Sequence, residues 1–305
     1  MILLALRTLW KQPEIDEIRI LHGTLRLYEC LNTSEKDHVE FSPLILFTNC
    51  RFILNMSESK VFTFMGASTG CGYFALRNAL NAGYTCIALC RTPSKLTDKL
   101  SEQERTNLHV IEGNAHDKEV VARCLLNPNK PNTFVDEVVS TIGGAFSMST
   151  FSIDDTHVCE NGVETLFAAL DTVRKDIGAG ANQGPRITVV SSTGISPYGR
   201  DIPMLMVPLY FLLKVPHEDK VAMENKLIES SEKWTIVRAS LLKDGPEATE
   251  YPVIVGVEDP VAKEVVSKAI GYSITRADVG KWIFENLLKS KDDKLWLSKI
   301  ATITY

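Results

Sequence analysis

The 305-residue sequence predicts an α/β fold, a doubly wound parallel sheet covered by helices, and three observations carry that expectation. Short apolar runs without polar alternation recur along the chain, as strands buried on both faces require. Segments of helical period separate those runs, the order of consecutive βαβ units. The first strand–helix junction, within "VFTFMGASTGCGYFALRNALNAG", is rich in glycine at the place where doubly wound sheets bind ligands.

The elements follow in order. "VFTFM" reads as the first strand, and the helix after it carries Phe74, Ala75, Ala79 and Leu80 on one stripe before stopping at Gly83. "YTCIALC" and "LHVIEG" are the second and third strands, and a helix from Asp117 to about Leu126 ends before "NPNKPN". "VDEVVSTIGG" is the fourth strand. A long helix, Val158 to Ile177, leads through "GAGANQGP" to a fifth, "RITVVSS". "HEDKVAMENKLIESSEK" is a charged amphipathic helix and "WTIVRASLL" a sixth strand. "RADVGKWIFENLLKS" is a helix expected to bury Ala277, Val279, Trp282, Ile283 and Leu287, and "KIATITY" closes the chain as a strand. These elements make one domain over residues 56–305, with segments at about 195–217 and 243–275 folding over the strand ends. Residues 1–55 show no clear period. They are expected to be an appendage, poorly ordered or the product of an upstream start, because "MSESKVFTFMGASTG" reads as an ordinary beginning for such a domain.

Composition narrows the function classes. Hydrophobic residues are 45% and charged residues 23% of the chain, ordinary for a globular protein. A net charge of −5 argues against a nucleic-acid partner, which needs a basic face. The seven cysteines have no Cys-x-x-Cys spacing, so they read as reduced core residues, not disulfides or metal ligands. No run reaches the roughly 20 apolar residues of a membrane helix, and "MILLALRTLW" lacks the basic start of a signal peptide. A cytoplasmic protein with a small-molecule partner is expected, with no metal and no membrane association; the oligomeric state is not set by the sequence.

Gly66, Gly70 and Gly72 form G-x-x-x-G-x-G between strand and helix. Such a turn lets the backbone approach a pyrophosphate, and the helix N-terminus adds N–H groups and a positive dipole end. Ser68, Thr69 and Cys71 lie in the same turn. A strand–helix turn that binds nothing has the same pattern; the flanking strand and helix favour a dinucleotide. The second strand ends in Arg91 with no acid beside it in the sequence, which favours NADP(H) over NAD(H), since a guanidinium suits a 2′-phosphate and a carboxylate suits a 2′-hydroxyl. A solvated surface arginine is the ordinary alternative. Asn114 and Ala115 after the third strand, and Thr141, Ile142 and Gly143 after the fourth, are expected to close over the cofactor.

The glycine turn, "CRTPSKL", "GNAHD", "VVSTIGG", "VVSSTG", "HEDKVAMENKLIESSEKWTIVRASLLKDG", "ITRADVGKWI" and "TITY" occur in the order seen in atypical short-chain dehydrogenases. Over about residues 60–305 the chain resembles the branch of flavin/biliverdin reductases and NmrA-like proteins, in particular its fungal NAD(P)-binding members. The resemblance implies either an NADPH-dependent oxidoreductase for a small hydrophobic or aromatic carbonyl, quinone or flavin-like substrate, or a dinucleotide-binding regulator without turnover. It also implies candidate chemistry. Ser192 stands at the end of the fifth strand, where short-chain dehydrogenases keep a serine, and Tyr210 with Lys214 matches their Tyr-x-x-x-Lys pair. The apolar surroundings of Tyr210 equally suit a pocket wall or lid, for which Met204, Met206, Leu209, Phe211 and Tyr251 are further candidates. Lys220 falls where atypical members place a lysine or histidine facing the ribose and nicotinamide, and Arg238 to Leu241 are expected to line that end. An i, i+4 pair of Lys220 with Glu224 is the plain alternative. His217, one helical turn before Lys220, is a possible proton donor or a structural residue.

Overall fold

The computed structural model describes residues 60–144, 155–245, 248–290 and 294–305, with the backbone alone of 146–147 and 152–153. The expectation for residues 1–55 lies outside them. Strand β1 (Val61–Met65) is buried along its whole length. It turns through Gly66–Thr69 into helix α1 (Gly70–Asn81). β2 (Thr85–Cys90), two short helices α2 (Ser94–Thr97) and α3 (Glu102–Arg105), β3 (Leu108–Glu112), α4 (Lys118–Cys124) and β4 (Glu137–Ser140) complete the first half. The second half contains the two-residue strands β5 (Phe146–Ser147) and β6 (Ser152–Ile153), α5 (Val158–Ile177), β7 (Arg186–Ser192), α6 (Val207–Leu212) and α7 (Lys214–Glu229). After these come β8 (Trp234–Ala239), β9 (Leu241–Lys243), β10 (Ile254–Asp259), β11 (Glu264–Ser267), β12 (Ser273–Thr275), α8 (Arg276–Ile283) and β13 (Lys299–Thr304).

The main sheet runs β11-β10-β13-β8-β7-β4-β1-β2-β3. From β13 to β3 all neighbours are parallel, so the seven strands read from the sequence form the sheet it predicts. β10 and β11 were not expected as strands; they add antiparallel to the β13 edge, so part of the 243–275 segment extends the sheet. Alternation along β1 explains why it has no polar face. Phe62 and Phe64 enter the core beneath α1 and α8, while Val61 and Met65 enter the core beneath α4, α5 and α7. β2 and β4 flank β1, and the chain winds outwards in opposite directions from it. This is the switch point whose strand ends form a crevice.

The five predicted contact residues of α8 are buried, and a π-helical turn, Phe284–Leu288, continues the helix. α8 packs tightly on α1. A Cβ at Gly280 would lie 2.5 Å from Phe74 Cβ, 2.7 Å from Ala75 N and 2.8 Å from Cys71 O. Only glycine admits that approach.

Candidate dinucleotide site

The glycine turn opens at the carboxyl end of β1. Gly66 and Gly70 have φ of +89° and +67°, a region that other residues rarely enter. A Cβ at Gly72 would lie 2.4 Å from Thr141 Oγ1 and 3.0 Å from Gly66 O. Thr141 itself donates to Gly66 O at 3.0 Å, so the loop after β4 and the turn after β1 form one unit. Among the described residues, the atoms a Cβ at Gly70 would meet belong to Arg276, 3.6 Å away at Cδ. The N-cap Thr69 makes no side-chain cap bond and the first turn of α1 has no acidic residue. The result is a backbone cradle at a helix N-terminus with no carboxylate in that turn, which fits the pyrophosphate of a dinucleotide. Cys71 is no nucleophile: burial, partly offset by Arg276, pushes its thiol up to about 12.

Around the turn, Ser68 Oγ donates to Cys90 Sγ at 3.4 Å. Lys99 donates to Ser68 O at 2.8 Å and lies over the Tyr73 ring, a cation at the lip of the turn that sequence reasoning missed. Arg91 is exposed at the tip of β2. The sheet register pairs Cys90 with Glu112, bringing a carboxylate near that strand end from the next strand. Asn114 is exposed and its Oδ1 accepts from His116 N, an Asx turn, while Ala115 packs on the core. Gly143 is exposed and has open space around its Cβ position.

Helix α7 organises the other side of the crevice. Lys220 Nζ donates to Ile142 O at 3.1 Å and to Val190 O at 2.8 Å, bridging the loop after β4 to β7. The buried Cys159 thiol lies within reach of the same ammonium, which pulls it down against the effect of burial. The alternative pairing with Glu224 does not form, because Glu224 is taken by Arg238. Asp219, next in line, accepts from Cys159 N and Glu160 N, both at 2.9 Å. It thereby caps α5, whose own N-cap His157 makes no side-chain cap bond.

Ser192 Oγ lies 3.3 Å from His217 Nε2. Tyr210 is buried; its hydroxyl pairs with Thr193 Oγ1 at 2.8 Å and its ring lies against His217, centroids 5.3 Å apart. Gly194 makes room for that ring, since a Cβ there would fall 2.3 Å from Tyr210 Cδ1. Tyr210 and Lys214 therefore do not form the pair their spacing suggests. The helix is interrupted at Leu213, between α6 and α7, and Lys214, 70% exposed, faces Glu218. Burial raises the Tyr210 phenol, the reverse of activation by a lysine. Arg238 is not a lining residue either. It is 1% exposed and held by Glu224 and Glu258. Met204, Leu209, Phe211 and Tyr251 are all exposed, so the apolar segment at 204–212 forms a surface beside the strand ends, with Tyr210 alone of these aromatics turned inward.

Burial holds the His217 imidazole at about 4, below its ordinary 6.5. Between those two values the unfolded chain takes up the proton first. Stability is therefore full above pH 6.5, falls as pH drops, and has lost this contribution below 4. His217→Gln should flatten the pH dependence by on the order of 1–3 kcal/mol between pH 7 and 4, measured by urea unfolding.

The five described cysteines, Cys71, Cys86, Cys90, Cys124 and Cys159, are unpaired and buried. Among the described residues no helix is long and apolar enough to cross a membrane.

Comparison with known proteins agrees with this geometry. The NAD(P)H-binding family matches residues 66–290. The chain is 36% identical over 273 residues to the reductase pytE of Aspergillus terreus, covering 82% of this chain and 100% of that one. It is 31% identical over 281 residues to the oxidase pynE of Aspergillus niger, covering 82% and 99%. In fold it is similar to a wide-type short-chain dehydrogenase/reductase of Veillonella parvula in complex with NADP (TM-score 0.57, 17% identity, 81% and 94% covered). ChuY, an anaerobillin reductase of Escherichia coli O157:H7, is also similar (TM-score 0.53, 20% identity, 80% and 96% covered). With the family match running from the glycine turn to beyond the end of α8, the chain belongs to the NAD(P)H-binding family.

Proposed function

We propose that the chain is an NADPH-dependent oxidoreductase acting on a small hydrophobic or aromatic carbonyl, quinone or flavin-like compound. The observation that carries this reading is Lys220, whose ammonium stands at the ends of β4 and β7, fixed by two main-chain carbonyls. NADPH supplies a hydride when bound. Lys220 would hold the ribose side of the nicotinamide, and the Ser192 hydroxyl, backed by the neutral His217, would orient the oxygen of the substrate. The exposed apolar side chains of residues 204–212 suit a flat hydrophobic substrate. The names of the Aspergillus relatives, a reductase and an oxidase, support redox chemistry. The reduced, buried thiols fit the cytoplasm.

The failure of Tyr210 and Lys214 to meet supports a second reading, a dinucleotide-binding regulator of the NmrA kind without turnover. NADPH consumption with quinones, flavins and aromatic ketones separates the two. Turnover with any of them upholds the enzyme, whereas NADPH binding without turnover favours the regulator.

We assign the preference for NADPH to Arg91, which is exposed at the tip of β2. Arg91→Gln should weaken NADPH about tenfold or more and leave NADH within about twofold, read by calorimetric titration. Equal losses for both cofactors, or none, would remove Arg91 from this role.

A further inference from the structure

The close packing of α8 on α1 places a guanidinium at the glycine turn. Arg276 lies one helical turn before Gly280, so both fall on the face of α8 that meets α1. From there its Cδ and Nε reach 3.6 Å and 3.9 Å from the position a Cβ would take at Gly70. Its charge is felt inside the turn, where it pulls the Cys71 thiol down against the effect of burial.

The other end of the side chain is held by a carboxylate. β12 pairs with β9 in parallel, with Thr275 opposite Lys243, so the next residues, Arg276 and Asp244, emerge side by side. Arg276 Nη1 donates to Asp244 Oδ1 at 2.7 Å. The Asp244 side chain is 93% exposed and that of Arg276 33%. An ion pair so open to water is weak and readily exchanged. A pyrophosphate at the N-terminus of α1 presents fixed anionic oxygens to the same guanidinium, and planar guanidinium–phosphate pairing is among the stronger charge-assisted contacts.

We propose that Arg276 is the side-chain contact to the pyrophosphate of the bound dinucleotide, and that Asp244 competes with the pyrophosphate for its guanidinium. The proposal rests on the dinucleotide site described above. It makes Arg276 blind to the 2′-phosphate, unlike Arg91.

Calorimetric titration of the full chain with NADPH, NADH and 2′-AMP tests it, with the fold of each variant checked by circular dichroism. Arg276→Met should weaken NADPH and NADH by the same factor, about tenfold or more, and leave 2′-AMP, which has no pyrophosphate, unchanged. Asp244→Asn should tighten both dinucleotides about two- to fivefold by removing the competitor. Binding of NADPH by Arg276→Met within about twofold of the parent chain would overturn the proposal, as would a loss confined to NADPH. Should Arg276→Met fail to fold, Asp244→Asn decides: unchanged affinity there overturns the competition. If the parent chain binds neither dinucleotide, the cofactor reading itself fails and takes this proposal with it.

Discussion

Arg238→Met is expected to lower folding stability by about 3–5 kcal/mol, because it leaves two buried carboxylates without their cation. Arg238 donates from Nε and Nη2 to Glu224 at 3.0 and 2.6 Å, and from Nη1 to Glu258 at 2.7 Å. Those partners come from α7 and β10, so one side chain on β8 ties a helix and the antiparallel edge to the parallel sheet. Burial opposes the guanidinium charge, but Glu224 and Glu258 overcome it and raise the group above its ordinary range. Without Arg238 the carboxylates must take up protons or draw in water. The deficit should therefore shrink as pH falls from 7 towards 5. Adding Glu224→Gln and Glu258→Gln should recover a good part of it, since neutral groups tolerate burial better. Urea unfolding of the single and triple variants checks both statements. A single variant within about 1 kcal/mol of the parent would show that the network contributes little.

Gly72→Ala should abolish dinucleotide binding at concentrations that saturate the parent, a loss on the order of a hundredfold, while costing about 1–3 kcal/mol of stability. The added methyl would press on Thr141 Oγ1, at 2.4 Å, and on Gly66 O, at 3.0 Å. Rotating Thr141 away breaks its bond to Gly66 and still leaves the main-chain clash. Relief therefore requires the turn to widen, which moves the N–H groups that would meet the pyrophosphate. Gly180→Ala is the control, because it lies in the turn after α5 and its Cβ position has open space around it. Titration of both variants with NADPH decides the matter: comparable affinities would show that the turn yields without harm.

How much of this was legible beforehand depends on which forces wrote each feature into the chain. Six of the seven parallel strands are buried on both faces, β3 at the edge being the exception, and strands such as Val61–Met65 and Trp234–Ala239 have no exposed positions to interrupt their apolar runs. β10 and β11 escaped because an edge needs no such run. "IVGVED" mixes exposed and buried positions, and Glu258 is buried only by virtue of Arg238. The glycine turn was legible because backbone clearance demands glycine in the sequence itself. The partners of that turn were not. Arg276 reaches it through the Gly280 contact, and Lys99 through the fold of the segment after β2. Spacing misled at Tyr210 and Lys214, where the break at Leu213 turns the two side chains apart.

Asp219 gives the fold a form of timekeeping. The first turn of α5 has its amides at Cys159 and Glu160 satisfied by a carboxylate that arrives only with α7, some sixty positions later. α5 therefore cannot close its own start, and the two helices should open as one cooperative unit. In native-state hydrogen exchange the amides of Cys159 and Glu160 should follow those of α7, and Asp219→Ala should release them without loosening β1. The same helix fixes Lys220 between Ile142 and Val190, so the crevice is assembled only when both helices have docked. Its lifetime is then set by how often that pair comes apart.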